Sequence, residues 1–159
     1  MIGDHERCDD VTGDEGGRAM IEFIFLGVLT MVPLLYLVVA AFQLERDVFA
    51  VTQAAREAGR AYATAGDPAT AETRAGYAMD LALTDQGVPS GGATLSYVPV
   101  SARCSVGATG VQSLVPGADF AVCVTRIAQL PGIPGYAIGR RNTVTGRYVV
   151  HIDDFRTRQ

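Results

Sequence analysis

Three hydrophobic rhythms follow one another along the chain. From Phe23 to Phe42, twenty residues pass without one Asp, Glu, Lys, Arg or His. As a helix rising about 1.5 Å per residue, that run spans roughly 30 Å, the thickness of a bilayer's hydrocarbon core. Pro33 falls inside it, where a proline kinks a membrane helix without ending it. After Phe42 the rhythm becomes amphipathic in "QLERDVFAVTQAAREAGRAYATAGD". Val48, Val51, Ala55, Ala58 and Tyr62 recur at three and four, which predicts one buried stripe, with Glu45, Arg46, Arg56 and Arg60 off it. Nothing breaks the pattern before Ala65-Gly66-Asp67-Pro68, so one helix from about Ala19 to Ala65 is expected, half in lipid and half outside.

A second helix is predicted over "PATAETRAGYAMDLALTDQG". Asp67 suits an N-cap, Pro68 the first helical position and Gly87 the end. Its apolar side is read as Ala75, Ala78, Met79, Ala82 and Leu83. Beyond the turn-rich "GVPSGG" the period drops to two. "ATLSYVPV" puts Leu95 and Tyr97 on one face, with Val98 a further apolar position. "ADFAVCVTRIAQL" puts Phe120, Val122, Val124 and Arg126 on one side and Ala121, Cys123, Thr125 and Ile127 on the other. "NTVTGRYVVHIDDF" offers Val144, Tyr148, Val150 and Ile152. With Gly- and Pro-rich connections ("VPGAD", "LPGIPGYAIG"), this predicts an antiparallel sheet of three or four strands. So small a sheet is marginal alone, so one face should pack on the exported half of the long helix. The fold class is α+β. The expected divisions are a leader at 1–17, a transmembrane helix at 18–44, an exported helical segment at 45–86 and a small β-rich domain at 87–159.

Charge changes the picture only at the head. Residues 1–17 carry six acids against Arg7, a net of −5, while the remainder is near neutral at +1. The head has no apolar periodicity and reads as disordered. No basic patch points to nucleic acid. A cleaved secretory signal fits poorly despite the small residues Val39-Ala40-Ala41, because the head is acidic and the apolar run exceeds the usual 7–15 residues. Counting arginines on either side of the run does not settle orientation; the short head and long tail favour an exported C-terminal part.

Cys8 precedes the run, and Cys104 and Cys123 follow it. In an exported compartment Cys104 and Cys123 are the pair available for a disulfide; two buried free thiols are the alternative. Candidate chemistry is sparse. His151 has no Cys or His at metal-ligand spacing, no serine sits in a G-x-S-x-G elbow, and no phosphate-binding glycine loop is present. Asp153-Asp154 could meet a cation, but adjacent strand residues point to opposite faces. No catalytic residue, cofactor or metal site is therefore assigned.

One carboxylate stands out: Glu22, at the mouth of the apolar run. Arg18 is four residues away on the same helical face, and the two can pair locally. Yet "GGRAMIEFIFLGVLTMVPLLYLVV", followed by "VTQAAREAGRAYATAG" and a small β region with "LPGIPG", resembles the TadE-like pseudopilins, minor pilin-like components of the Tad (Flp) pilus and tight-adherence secretion system. The likeness covers about Gly16 to Gly66 and is loose over the β region. It departs in one respect: the leader of such prepilins tends to be basic, and this head is acidic. The resemblance implies cleavage between Gly17 and Arg18 by a membrane prepilin peptidase, with the apolar helix retained. It places Glu22 and Phe23 in an assembly and register role, where the glutamate of one subunit neutralises the new α-amino group of the next; desolvated charges require partners. It also implies a non-enzymatic function, with the membrane, the prepilin peptidase, other pilin-type subunits and the assembly platform as partners. Two rivals belong to other classes. One is an uncleaved membrane-anchored ligand-binding or adhesion module that keeps residues 1–17. The other is an anchored exported enzyme, which would need a catalytic constellation.

Overall fold

The computed structural model describes residues 15–105, 112–128 and 142–155. The "LPGIPG" connection and most of the acidic head lie outside them. The chain divides into two compact units, one ending at Val39 and one beginning at Ala40. Helix α1 (Glu15–Ala63) contributes to both and continues through Pro33. Its start lies four residues ahead of the expected Ala19.

In the first unit the helix is apolar on every side, and its large side chains, from Met20 to Val39, are exposed. It is long and apolar enough to cross a membrane, and none of that segment is buried within the chain. A helix hydrophobic all round requires an apolar surrounding, either lipid or other helices.

The second unit is an α+β domain built on residues 40–63 of α1. After the short turn at 64–67, helix α2 (Pro68–Asp85) begins at Pro68. Asp67 caps it: Oδ1 accepts from the Thr70 backbone N–H at 2.9 Å and Oδ2 from the Thr70 hydroxyl at 2.6 Å. These bonds hold the Asp67 carboxyl below its ordinary range. The helix closes with a Schellman turn, in which Val88 N–H donates to Leu83 O and Gly87 N–H to Thr84 O. Gly87 takes the left-handed φ of +64° that this turn needs. Val88 and Leu83 are both buried, supplying the apolar contact that usually accompanies the motif.

Three strands follow: β1 (Thr94–Val98), β2 (Asp119–Ile127) and β3 (Thr143–His151). They form an antiparallel sheet in the order β1-β2-β3. The period of two sorts the faces. Tyr97, Phe120, Val122, Val124, Val144 and Val150 join the core with Val51, Ala55, Ala58 and Tyr62 of α1 and Ala71, Ala75, Met79, Ala82 and Leu83 of α2. The rings of Tyr62, Tyr97 and Phe120 cluster with centroids 4.9–6.2 Å apart. Contiguity with the helix depends on two glycines. A Cβ on Gly59 would lie 2.7 Å from Val150 Cγ2, and one on Gly146 would overlap the Val51 carbonyl.

The opposite face of the sheet carries a smaller cluster of Val98, Ala121 and Cys123, covered by Ala102 and Cys104. Cys104 and Cys123 are joined by a disulfide with Cα atoms 5.8 Å apart. The bridge ties the segment after β1 to the middle of β2.

Three expectations need adjusting. Val48 is 44% exposed rather than buried, because the stripe on α1 turns through Asp47, Ala50, Val51 and Ala54 instead. On α2 the buried residue outside the expected set is Ala71, while Ala78 is only half-buried. Asp153 and Asp154 lie beyond the end of β3, so the strand alternation invoked for them does not apply.

Candidate functional site

The residues singled out at the head of the apolar run all lie in the first turns of α1. Gly17 and Arg18 are helical and exposed, so the bond between them is accessible but not extended. A Cβ on Gly17 would meet nothing within 4 Å. The first turns of a helix have unpaired N–H groups and fray readily. Glu22 is exposed and Phe23 is 77% exposed. Arg18 and Glu22, four residues apart, do not form an ion pair; the pairs among the described residues are Arg60–Glu57, Arg126–Asp47 and those of His151. The carboxylate at the membrane edge therefore has no partner from the described part of its own chain.

The second unit has two further polar constellations. In one, Arg46 of α1 donates from Nε to Gln86 O at 2.9 Å and from Nη2 to Gly87 O. These carbonyls belong to the C-cap of α2 and the residue after it, where a cation is favoured by the helix dipole. It also fixes the direction of α2, which returns antiparallel to α1. Next to it Asp47 is buried, and its Oδ1 meets Arg126 Nη1 at 3.3 Å. Arg126 belongs to the core-facing side of β2, as the alternation predicted, and is 4% exposed. Sequence reasoning missed Asp47 as its partner. A buried cation in a strand does call for a carboxylate, but nothing local to either residue names the other. Gln43, Arg46, Asp47, Gly87, Val88, Pro89 and Arg126 line a cavity of about 180 Å³.

The other constellation is at the start of β2 and the end of β3. His151 Nδ1 lies 2.7 Å from Asp119 Oδ1, and Nε2 lies 3.7 Å from Asp154 Oδ2. The hydrogen bond to Asp119, reinforced by the charges of both carboxylates, raises the imidazole's pKa above its ordinary value. All three side chains are more than half exposed. Among the described residues, no group of three or more His, Cys, Asp or Glu is placed to hold a metal ion.

Among the described residues the fold thus has one helix long and apolar enough to span a membrane, continuous with an α+β domain that contains a disulfide. Comparison with protein-family models, curated proteins and solved structures gives no match.

Proposed function

We propose that this chain is a non-enzymatic, pseudopilin-like membrane protein that takes part in Tad/Flp-type pilus assembly or secretion. A prepilin peptidase would cut it after Gly17 and leave the apolar helix in place. Its α+β domain lies outside the cytoplasmic membrane. The observation that carries this reading is the exposed Glu22 carboxylate, unpaired within the described chain, at the mouth of a twenty-residue uncharged helix. Placing a charge there opposes burial in lipid, and a partner from another subunit offsets that cost. The new α-amino group at Arg18 supplies such a partner in the neighbouring copy. An all-round apolar helix running unbroken into the core of a small domain supports the same reading, since it can serve first as anchor and then as packing surface.

Mass spectrometry of the protein recovered from membranes tests the cut. A mature chain beginning at Arg18 supports the proposal, and one retaining residues 1–17 overturns it. Glu22→Gln should leave insertion unchanged and impair assembly with other pilin-type subunits. Unimpaired assembly removes the register role.

The uncleaved anchored ligand-binding or adhesion module is the second reading. The feature that favours it is the helical conformation of Gly17 and Arg18, since a peptidase must unwind that turn to reach the bond in extended form. The same measurement of the N-terminus separates the two.

A further inference from the structure

We propose that the notch formed by Gln43, Arg46, Asp47, Gly87, Pro89 and Arg126 binds the phosphodiester of an anionic membrane phospholipid. This inference rests on reading Phe23–Phe42 as a membrane span. Gln43 is the first residue after that run, and Arg46 and Asp47 lie about 6–8 Å farther along the same helix than Phe42. A bilayer of about 40–45 Å with a hydrocarbon core of about 30 Å has a headgroup layer of that depth on each side. The notch therefore begins one residue past the apolar run, within the chain's reach of the lipid phosphates.

Its chemistry suits that ligand. Arg126 is buried, and among the described residues only its Nη1 has a protein partner, the Asp47 carboxylate at 3.3 Å. A guanidinium carries five N–H donors, and those on Nε and Nη2 of Arg126 have no partner among the described residues, beside the cavity it lines. Arg46 directs two of its nitrogens at Gln86 O and Gly87 O, which fixes its guanidinium plane at the cavity wall. Two guanidinium groups and one carboxylate give the notch a single positive charge, matched by the single negative charge of a phosphatidylglycerol-type headgroup. A zwitterionic headgroup would bring its own cation against the arginines. Guanidinium groups favour phosphate because their forked donors meet two oxygens at once.

The test uses the full-length chain in phosphatidylcholine nanodiscs containing increasing phosphatidylglycerol, with bound lipid counted by native mass spectrometry. Phosphatidylglycerol should be retained over phosphatidylcholine by roughly tenfold. Gln43→Glu places a second negative charge in the notch without removing any hydrogen bond among the described residues, and it should abolish that preference while the circular dichroism spectrum stays the same. Arg56→Gln, at an exposed position elsewhere on α1, should leave it unchanged. Equal retention of the two lipids, or a preference that survives Gln43→Glu, overturns the proposal. Displacement of phosphatidylglycerol by millimolar inorganic phosphate overturns the lipid as source and assigns the notch to free anions. Failure of the underlying anchor is visible separately, as a chain that does not float with vesicles, and it removes the lipid assignment too. An N-terminus still carrying residues 1–17 would sink the pilin reading and leave the notch untouched.

Discussion

Asp47 and Arg126 are 79 residues apart in sequence and form a buried ion pair, Oδ1 to Nη1, at 3.3 Å. The pair joins the start of the domain's portion of α1 to the end of the central strand. Replacing Arg126 by Met strands a carboxylate in a buried site, so we expect a loss of about 3–5 kcal/mol in urea denaturation. Asp47→Asn combined with Arg126→Gln removes both charges and should recover a large part of that loss. A double variant no more stable than Arg126→Met would show that the pair is not coupled.

The two glycines that bring the sheet to the helix should differ in their response to alanine. At Gly146 the added methyl meets the backbone of Val51 and Thr52, which cannot give way without shifting α1. At Gly59 it meets side chains, Val150 and Tyr148, and the substitution gains about 1 kcal/mol of helix propensity. Gly146→Ala should cost about 1–3 kcal/mol or more by overpacking, and Gly59→Ala distinctly less. Thermal denaturation of the two variants side by side checks the order.

The rings of Tyr62 and Tyr97 meet at 4.9 Å, tilted by 51°, but differ at their hydroxyls. Tyr62 donates to Gln112 O at 2.7 Å, whereas the buried Tyr97 hydroxyl has no partner among the described residues. Burial above all, with the neighbouring Tyr62 and Glu72, drives the Tyr97 phenol's pKa well upward. Tyr97→Phe removes an unsatisfied polar atom and should be neutral or stabilising by about 1 kcal/mol, while Tyr62→Phe should lose about 1 kcal/mol. Opposite signs in matched denaturation curves are the expected result.

Two exposed groups give the domain a pH dependence of opposite sign. His151 is raised above 6.5 by Asp119 and Asp154, so its contribution is full below that ordinary value and is lost as pH rises through the higher folded one. Asp67 is lowered below 3.8 by its capping bonds to Thr70, so its contribution is present above that value and is lost as pH falls through the lower folded one. An NMR titration of the His151 ring should give a midpoint above 6.5 that returns toward it in Asp119→Asn. A midpoint insensitive to that substitution would refute the assigned cause.

Much of this molecule is legible without coordinates, for local reasons. The apolar run declares its surroundings through its length and lack of charge. Asp67-Pro68 and Gly87 bracket α2 because capping depends on the few residues at a helix end. The strand faces follow from a period of two, which placed Phe120, Val122, Val124 and even Arg126 together. The small positions were harder to read. Gly146 lies among residues assigned to a face by their apolar character, and it has none; its role comes from the approach of a helix backbone across the sheet.

The sequence by itself therefore determined the type and order of the elements, the ends of α2 and the core-facing side of the strands, since these depend on residues within a turn or a strand of one another. Tertiary structure alone decided which distant groups meet. It selected Asp47 for Arg126, directed Arg46 to the end of α2, and turned the buried stripe of α1 through Asp47 rather than Val48. Such pairings depend on how separate elements pack, and a buried charge becomes acceptable only once packing brings its counter-charge within reach.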